Sequence, residues 1–283
     1  MELFVNINGQ YRNAREPVLH SNNRGFRHGD AVCETMRANG KVIHFFEDHL
    51  TKLIKGMKAL KMQVPAPIRN HTIQQEITRL LHKNRHLKGA GIRLTVFRDP
   101  SENSFAQDNA CTYLIETEKL PSDAYALNTK GLMVDLFPEL KEPVSPFSHI
   151  TSPNQLFYVM ADLYRKEHHL DECLLINTRE KITGTINSNI FMVSRDIIKT
   201  PSLASGCREG IMRSRIIQYA EDAGIMVNDQ DPVWFDELMT ADEIFLTNTT
   251  EGIQWIAGIR QKRYFKETAK KLMGKLRKET ALD

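Results

Sequence analysis

The sequence predicts a two-domain protein of mixed α+β and α/β class, and three observations support this fold class. The chain has 283 residues, of which 41% are hydrophobic and 26% are charged, enough for two medium-sized domains with buried cores. Short strand patterns and longer helical patterns follow one another along the chain. A polar stretch around Pro121 interrupts them. We therefore predict an N-terminal α+β domain over residues 1–119, a linker over 120–129 and a larger C-terminal α/β domain over 130–283.

The N-terminal domain is predicted to combine a sheet with two helices. The dipeptide Asn39-Gly40 lies between two apolar runs and is typical of a tight β-hairpin. After Glu47, the residues Leu50, Leu53 and Met57 recur at helical spacing. The predicted strands are Leu3–Ile7, Val32–Ala38, Val42–Phe46, Gly91–Phe97 and Ala110–Glu116, and the predicted helices run from about Glu47 and from Ile68 to Lys83.

The C-terminal domain is predicted to combine strands with helices along the chain. Gly224 follows an apolar helical stretch and suits the left-handed conformation that ends many helices. The predicted strands are Gly131–Phe137, Cys173–Asn177, Asn189–Ser194, Glu243–Thr247 and Ile253–Ile256, and the predicted helices are Leu156–Lys166, Gly210–Ala223, Trp234–Met239 and a C-terminal helix.

Charge and composition argue against several classes of function. The net charge of +3 is too small to predict nucleic-acid binding. No apolar run reaches the roughly 20 residues that span a bilayer, and the N-terminus lacks a basic segment with a cleavage site. The cysteines are far apart, without a CxxC pair, and indicate reduced thiols in a cytoplasmic protein. No metal site is predicted from them. The four are Cys33, Cys111, Cys173 and Cys207.

Two ordered sets of motifs carry a resemblance to a known family. The first set contains Asn23-Arg24-Gly25-Phe26, His28-Gly29-Asp30, Glu34, His49 and Lys52. The second set contains Thr151 to Gln155, Asn189-Ile190-Phe191, Gly210 to Arg213 and Thr247 to Thr250. Together they resemble the fold-type IV enzymes that use pyridoxal 5′-phosphate (PLP). This family includes branched-chain amino acid aminotransferases, D-amino acid aminotransferases and 4-amino-4-deoxychorismate lyases. The resemblance implies their two-domain, branched-chain-aminotransferase-like fold.

The resemblance also implies what PLP chemistry needs at two positions. A lysine amine forms the imine with PLP and moves the proton between carbon atoms. A carboxylate keeps the pyridine nitrogen protonated. By resemblance, the lysine position lies three or four residues before Asn154, where this chain has Thr151 and Ile150, and the replacement is taken as Thr151. The acid position is Gly184. None of these side chains can do this chemistry. PLP is thus the cofactor by resemblance, and the sequence predicts that its normal Schiff-base chemistry is lost.

Other positions imply a pocket for the cofactor and the substrate. Lys52 stands where the family has an arginine, so it offers positive charge without the bidentate fork of arginine. Arg93 is expected near a substrate carboxylate, with a surface arginine as the alternative, and His28 is either a substrate contact or a turn histidine. The phosphate-side positions are Lys52, Gly210, Ile211, Met212 and Thr249, and the substrate-side positions are His28, Arg93, Asn154 and Gln155.

Three functions remain open from the sequence. The first is a binding or regulatory homologue that cannot transaminate. The second is an active aminotransferase or lyase that holds its cofactor non-covalently or uses a displaced lysine, for which Lys141 and Lys181 are candidates. The third reuses the pocket for a different phosphorylated or carboxylated ligand. The expected partners are a small-molecule anion, or an amino or keto acid, and a second copy of the chain, because the family's pocket is completed by the partner subunit of a homodimer.

Overall fold

The chain forms two compact units. The structure, a computed structural model, describes residues 2–100 and 109–281. The N-terminal unit comprises Met1–Asp123 and Ile150–Asn154. The C-terminal unit comprises Ala124–His149 and Gln155–Asp283. The chain therefore returns to the first unit for five residues, a crossing that the sequence did not predict.

The N-terminal unit is built on an antiparallel six-stranded sheet. Its elements are β1 (Phe4–Ile7), β2 (Gln10–Asn13), α1 (Arg24–His28), β3 (Ala31–Asn39), β4 (Val42–Ile43), α2 (Phe46–Ala59), α3 (Ala66–Arg69), α4 (Ile73–Lys83), β5 (Ala90–Arg98) and β6 (Cys111–Lys119). The strand order is β2-β1-β6-β5-β3-β4. Helices α2 and α4 cover one face of the sheet, where Leu53, Ile77 and Val96 are fully buried in one core. Each such side chain contributes about 2 kcal/mol by leaving water.

The hairpin at Asn39-Gly40 is confirmed. Asn39 pairs with Val42 across the turn, and Gly40 takes a φ of 59°, a left-handed conformation that costs glycine little. The strand predicted over Val42–Phe46 is too long, however. Phe45 adopts a φ of 56° just before α2 begins, so the chain leaves the sheet after Ile43.

The helix predicted over Ile68–Lys83 is two helices, α3 and α4. His71 lies between them with a φ of 60°, which breaks the backbone hydrogen-bond ladder. Ile68 and Ile73 on either side of the break are both fully buried in the same core. The helical spacing of apolar residues therefore continues through His71, although the helical backbone is interrupted there.

The C-terminal unit contains a larger mixed sheet. Its elements are β7 (Leu132–Leu136), α5 (Leu156–Glu167), β8 (Glu172–Ile176), β9 (Lys181–Thr185), β10 (Asn189–Ser194), β11 (Ile197–Lys199), α6 (Ile211–Glu221), β12 (Val227–Asn228), β13 (Val233–Trp234), α7 (Phe235–Thr240), β14 (Glu243–Asn248), β15 (Gly252–Ile259), β16 (Lys262–Arg263) and α8 (Glu267–Glu279). The strand order is β12-β11-β10-β14-β15-β7-β8-β9-β13, with β16 beside β15. The strand pairs β15–β7 and β7–β8 are parallel.

The returning segment Ile150–Asn154 is fixed by the N-terminal unit. The backbone N–H of Cys33, in β3, donates to the Thr151 carbonyl at 2.8 Å. Ile150 packs against the core beneath α2. A Cβ added to Gly29 would lie 3.3 Å from Cβ of Asn154, so the absence of a side chain at Gly29 leaves room for this segment.

Candidate functional site

Three charged or titratable side chains of the N-terminal unit form a closed cluster, here called the N-terminal charge cluster. Glu34 projects from β3, and His49 and Lys52 project from the first two turns of α2. One Glu34 oxygen lies 2.8 Å from Lys52 Nζ, and the other lies 2.8 Å from His49 Nδ1. Glu34 and His49 are buried. Lys52, predicted to face a phosphate, therefore has its charge balanced by a carboxylate.

The charge cluster changes the acidity of Glu34. Burial acts to raise the pKa of this carboxyl, but the His49 hydrogen bond and the Lys52 charge act in the opposite direction. The pKa is therefore held below its usual value. The remaining ring nitrogen of His49, Nε2, is buried and makes no hydrogen bond.

The residues predicted on the substrate side of this unit are spread over several elements. His28 is exposed in the last turn of α1, before the left-handed cap Gly29. Thr151 is partly buried on the segment held by Cys33. Asn154 is exposed. A substrate role for these residues stays a prediction.

The two arginines of β5 differ in burial. Arg98 is buried, and its Nε lies 3.1 Å from Asp30, which also pairs with Arg24 at 2.9 Å. Arg93 is exposed, with its guanidinium 3.9 Å from the Cys33 sulfur. Arg93 is therefore not buried within the N-terminal unit. Its expected position near a substrate carboxylate stays a prediction.

In the C-terminal unit, the beginning of α6 is the centre of a second group, here called the α6 site: Arg208, Gly210, the first residues of α6, and Thr247. Gly210 precedes α6, and no side chain caps the helix there. The first amides of such a helix, together with its dipole, favour an anion. Asn189 supports this turn, because its Nδ2 donates to the Arg208 carbonyl at 2.8 Å. A Cβ at position 210 would collide with the Asn189 side chain.

The other phosphate-side residues have different surroundings. Ile211 is partly buried and Met212 is buried in the first turn of α6, so Met212 adds no polar group. Thr249 lies in the loop after β14, and its carbonyl accepts a hydrogen bond from Tyr125 at 2.7 Å. The side-chain oxygen of Asn248 accepts from the Thr250 and Glu251 amides at 3.0 and 2.8 Å. This loop is therefore preformed. Gln155 immediately precedes α5.

Gly184 occupies a position where a side chain does not fit. Its φ is 151°, and an added Cβ would lie 2.7 Å from the Ser188 carbonyl oxygen. The residue is buried in β9. A carboxylate here would require the backbone of the β9–β10 turn to move.

The lysines proposed as replacements have partners elsewhere in the unit. Lys141 pairs with Glu180. Lys181 lies at the start of β9, with its Nζ 3.4 Å from the centroid of the Trp234 ring. Both contacts are typical of surface lysines.

Sequence reasoning missed Arg208 in the α6 site, and it named Thr247 only as part of the motif Thr247 to Thr250. Arg208 Nη2 and Thr247 Oγ1 are buried and make no hydrogen bond. Tyr158 stacks beneath the Arg208 guanidinium at 4.1 Å, and burial raises the pKa of Tyr158 to about 12 despite the nearby Arg208 charge. An arginine two residues before Gly210 was the available sequence signal.

Two further observations concern other functions. In residues 2–100 and 109–281, no group of three or more histidines, cysteines or acids could hold a metal ion. None of the helices in these ranges is long and apolar enough to cross a membrane.

Comparison with known proteins decides the family. Residues 31–259 match the family model for class IV amino-transferases. The chain belongs to the class IV aminotransferase family. Aminodeoxychorismate lyase of Bacillus subtilis is 25% identical over 264 residues, covering 92% of this chain and 88% of the relative.

Solved class IV aminotransferases share the fold. The branched-chain aminotransferase of Thermoproteus uzoniensis with norvaline has a TM-score of 0.86 at 21% identity, covering 98% of this chain and 97% of that one. The branched-chain amino acid aminotransferase of Thermobaculum terrenum, in its PLP-form, has a TM-score of 0.84 at 21% identity, covering 98% and 94%. The predicted fold-type IV architecture is confirmed.

The residues of this class IV aminotransferase homologue fit PLP only in part. The uncapped start of α6 suits a phosphate. Thr151 offers a hydroxyl where an imine needs an amine, and the backbone at Gly184 leaves no room for a carboxylate. These two positions, assigned by resemblance, do not fit PLP held as an imine. That assignment of Thr151 and Gly184 stays a prediction.

Proposed function

We propose that this class IV aminotransferase homologue binds a small anionic ligand non-covalently and lacks normal PLP Schiff-base chemistry. The observation that carries the proposal is the contrast within the C-terminal unit. The start of α6 has no side-chain cap, which suits an anion, while a side chain at Gly184 would collide with the Ser188 carbonyl oxygen. Such a protein would act as a binding or regulatory homologue.

Two asparagine side chains hold the backbone of the α6 site and of the neighbouring loop by hydrogen bonds. Asn189 fixes the turn before α6, and Asn248 fixes the loop that contains Thr249. A preformed anion site of this kind needs no lysine. Ligands that suit it carry a phosphate or a carboxylate, including amino and keto acids.

The competing function is an active aminotransferase or lyase with a displaced lysine. Lys141 and Lys181 have surface partners, and Lys52 pairs with Glu34. These contacts favour the binding function, because an amine must be unprotonated and available to attack PLP.

The deciding experiment is a PLP titration of the purified protein, followed by borohydride reduction and peptide mass mapping. We expect no absorbance of an imine and no adduct fixed on one lysine. An adduct on Lys52, Lys141 or Lys181, together with keto-acid production from an amino donor, would overturn the proposal and identify the replacement.

We also propose that the protein is a cytoplasmic homodimer. Buried, unpaired Cys33, Cys173 and Cys207 support a reducing compartment. Leu156, Val159 and Leu163 are exposed on α5 at spacings of three and four, which place them on one helix face. An exposed apolar stripe of this kind is typical of a subunit contact.

A further inference from the structure

We infer that Arg208 is a ligand-anchoring residue, which with Thr247 and the first amides of α6 binds a phosphate dianion or a phosphate monoester. This inference rests on the proposed function, because it assumes a ligand held without an imine. It assigns the anchoring charge to the C-terminal unit itself. Lys52 is not needed for it.

The first observation is an unused donor on a fixed side chain. Arg208 Nη1 donates to the Ile186 carbonyl at 3.0 Å, and the guanidinium lies 4.1 Å above the Tyr158 ring. Nη2 is buried and has no hydrogen-bond partner. A buried donor left unpaired costs about 1 to 3 kcal/mol. A ligand oxygen on Nη2 would remove that cost, once the protein atoms that cover Nη2 move aside for it.

The second observation is the charge around Arg208. In the part of the chain that the structure describes, no carboxylate lies at ion-pair distance from its guanidinium. Tyr158, which stacks on Arg208, and Thr183 both donate to the Glu142 carboxylate, so that carboxylate already has two partners. The positive charge of Arg208 therefore remains unbalanced by direct pairing. A guanidinium without a paired carboxylate forms strong, charge-assisted hydrogen bonds to phosphate.

The third observation is Thr247, which is 1% exposed and whose hydroxyl has no partner. Thr247 is the cross-strand partner of Asn189, so both side chains lie on the same face of the sheet. Asn189 contacts the turn of Arg208 and Gly210 on that face. The Thr247 hydroxyl therefore faces the beginning of α6.

The Arg208 side chain extends from the turn before α6 to the carbonyl of Ile186. Its Nη2 and the Thr247 hydroxyl are both shielded from solvent, which strengthens each bond to an enclosed anion.

The test is calorimetric titration of the full chain with inorganic phosphate and with glycerol 3-phosphate at constant ionic strength. Arg208→Gln is expected to raise the Kd for inorganic phosphate about tenfold or more, because a charge-assisted bond is lost. Thr247→Val is expected to raise it about fivefold, and to leave the thermal midpoint unchanged or higher because an unpaired hydroxyl is removed. Arg277→Gln on the exposed side of α8 removes the same charge and is the matched control. Tighter binding of glycerol 3-phosphate than of phosphate would identify a monoester as the ligand class.

The inference is overturned if the unchanged protein does not bind phosphate, or if Arg208→Gln and Arg277→Gln bind it equally well. Circular dichroism checks the fold of each variant, and Thr247→Val decides the question if Arg208→Gln does not fold. The two proposals fail separately. A lysine adduct after borohydride treatment overturns the proposed function, whereas unaltered phosphate binding by Arg208→Gln, without any adduct, overturns the role of Arg208 alone.

Discussion

The N-terminal charge cluster and the α6 site use positive charge in opposite ways. Lys52 Nζ is 2.8 Å from a Glu34 carboxylate oxygen, so an ion pair within the N-terminal unit neutralises its charge. Arg208 stacks on an aromatic ring and keeps one donor unpaired. A charged residue at a family position can therefore be structural, while a residue outside the pattern has the donor that a ligand needs. Burial and pairing distinguish the two, and residue type does not.

The largest effect is expected from restoring the acid at position 184. Gly184→Glu places a side chain 2.7 Å from the Ser188 carbonyl oxygen and a carboxylate in a buried strand. We expect a loss of about 4 kcal/mol in the free energy of unfolding, measured by urea denaturation. Gly184→Ala separates the steric cost from the charge. Normal stability of both variants, with recovered PLP binding, would show that the backbone at 184 does not exclude the acid.

The next largest effect is expected in the N-terminal charge cluster. Glu34→Gln leaves Lys52 and His49 without their shared carboxylate and is expected to cost about 3 kcal/mol near pH 7. Because the folded pKa of Glu34 lies below its ordinary value of 4.5, its contribution is present above the unfolded pKa and is lost as pH falls through the folded pKa. Urea denaturation at several pH values should therefore show the two proteins converging in acid. A constant difference between them would contradict the pairing.

A smaller effect on stability is expected in the α6 site. Gly210→Ala brings a Cβ against the Asn189 side chain, and we expect a loss of about 2 kcal/mol with weaker phosphate binding. Gly274→Ala is the control, since nothing lies within 4 Å of its added Cβ and α8 should gain about 1 kcal/mol. If thermal denaturation ranks the two variants in the reverse order, the turn before α6 is not rigid.

The smallest effect on stability is expected on the exposed face of α5. Leu163→Lys should change the free energy of unfolding of the isolated chain by less than about 0.5 kcal/mol and yet lower the mass found by light scattering from a dimer to a monomer. Met226→Lys, at another exposed apolar side chain, should leave the mass unchanged. A dimer that survives Leu163→Lys would place the subunit contact elsewhere.

Local signals in the sequence predicted much of the fold. The hairpin at Asn39-Gly40 needs only a turn dipeptide, and α2 needs only its apolar spacing. The break at His71 was missed because Ile68 and Ile73 contact the same core on both sides of it. Strand β9 was missed because its five residues, Lys181–Thr185, are too short for a periodic pattern.

The candidate site was less predictable than the fold. Motif spacing located Gly210 and Thr249, but the partner of Lys52 depends on where Glu34 points after β3 and α2 pack together. The unpaired atoms of Arg208 and Thr247 depend on contacts between residues that are distant in sequence. A pattern within a single sequence cannot predict whether a buried hydrogen-bond donor will find an acceptor in the folded protein.

The return of residues Ile150–Asn154 to the N-terminal unit has a consequence for synthesis on the ribosome. The amide of Cys33 receives its acceptor, the Thr151 carbonyl, only after more than a hundred further residues have been translated. Until then the nascent first unit exposes one strand donor and an incomplete core at Ile150. Domains generally fold as units during translation. The N-terminal unit, however, cannot complete its fold until part of the C-terminal unit has been synthesised. A truncated chain that ends at residue 123 should therefore be less stable than the native N-terminal unit.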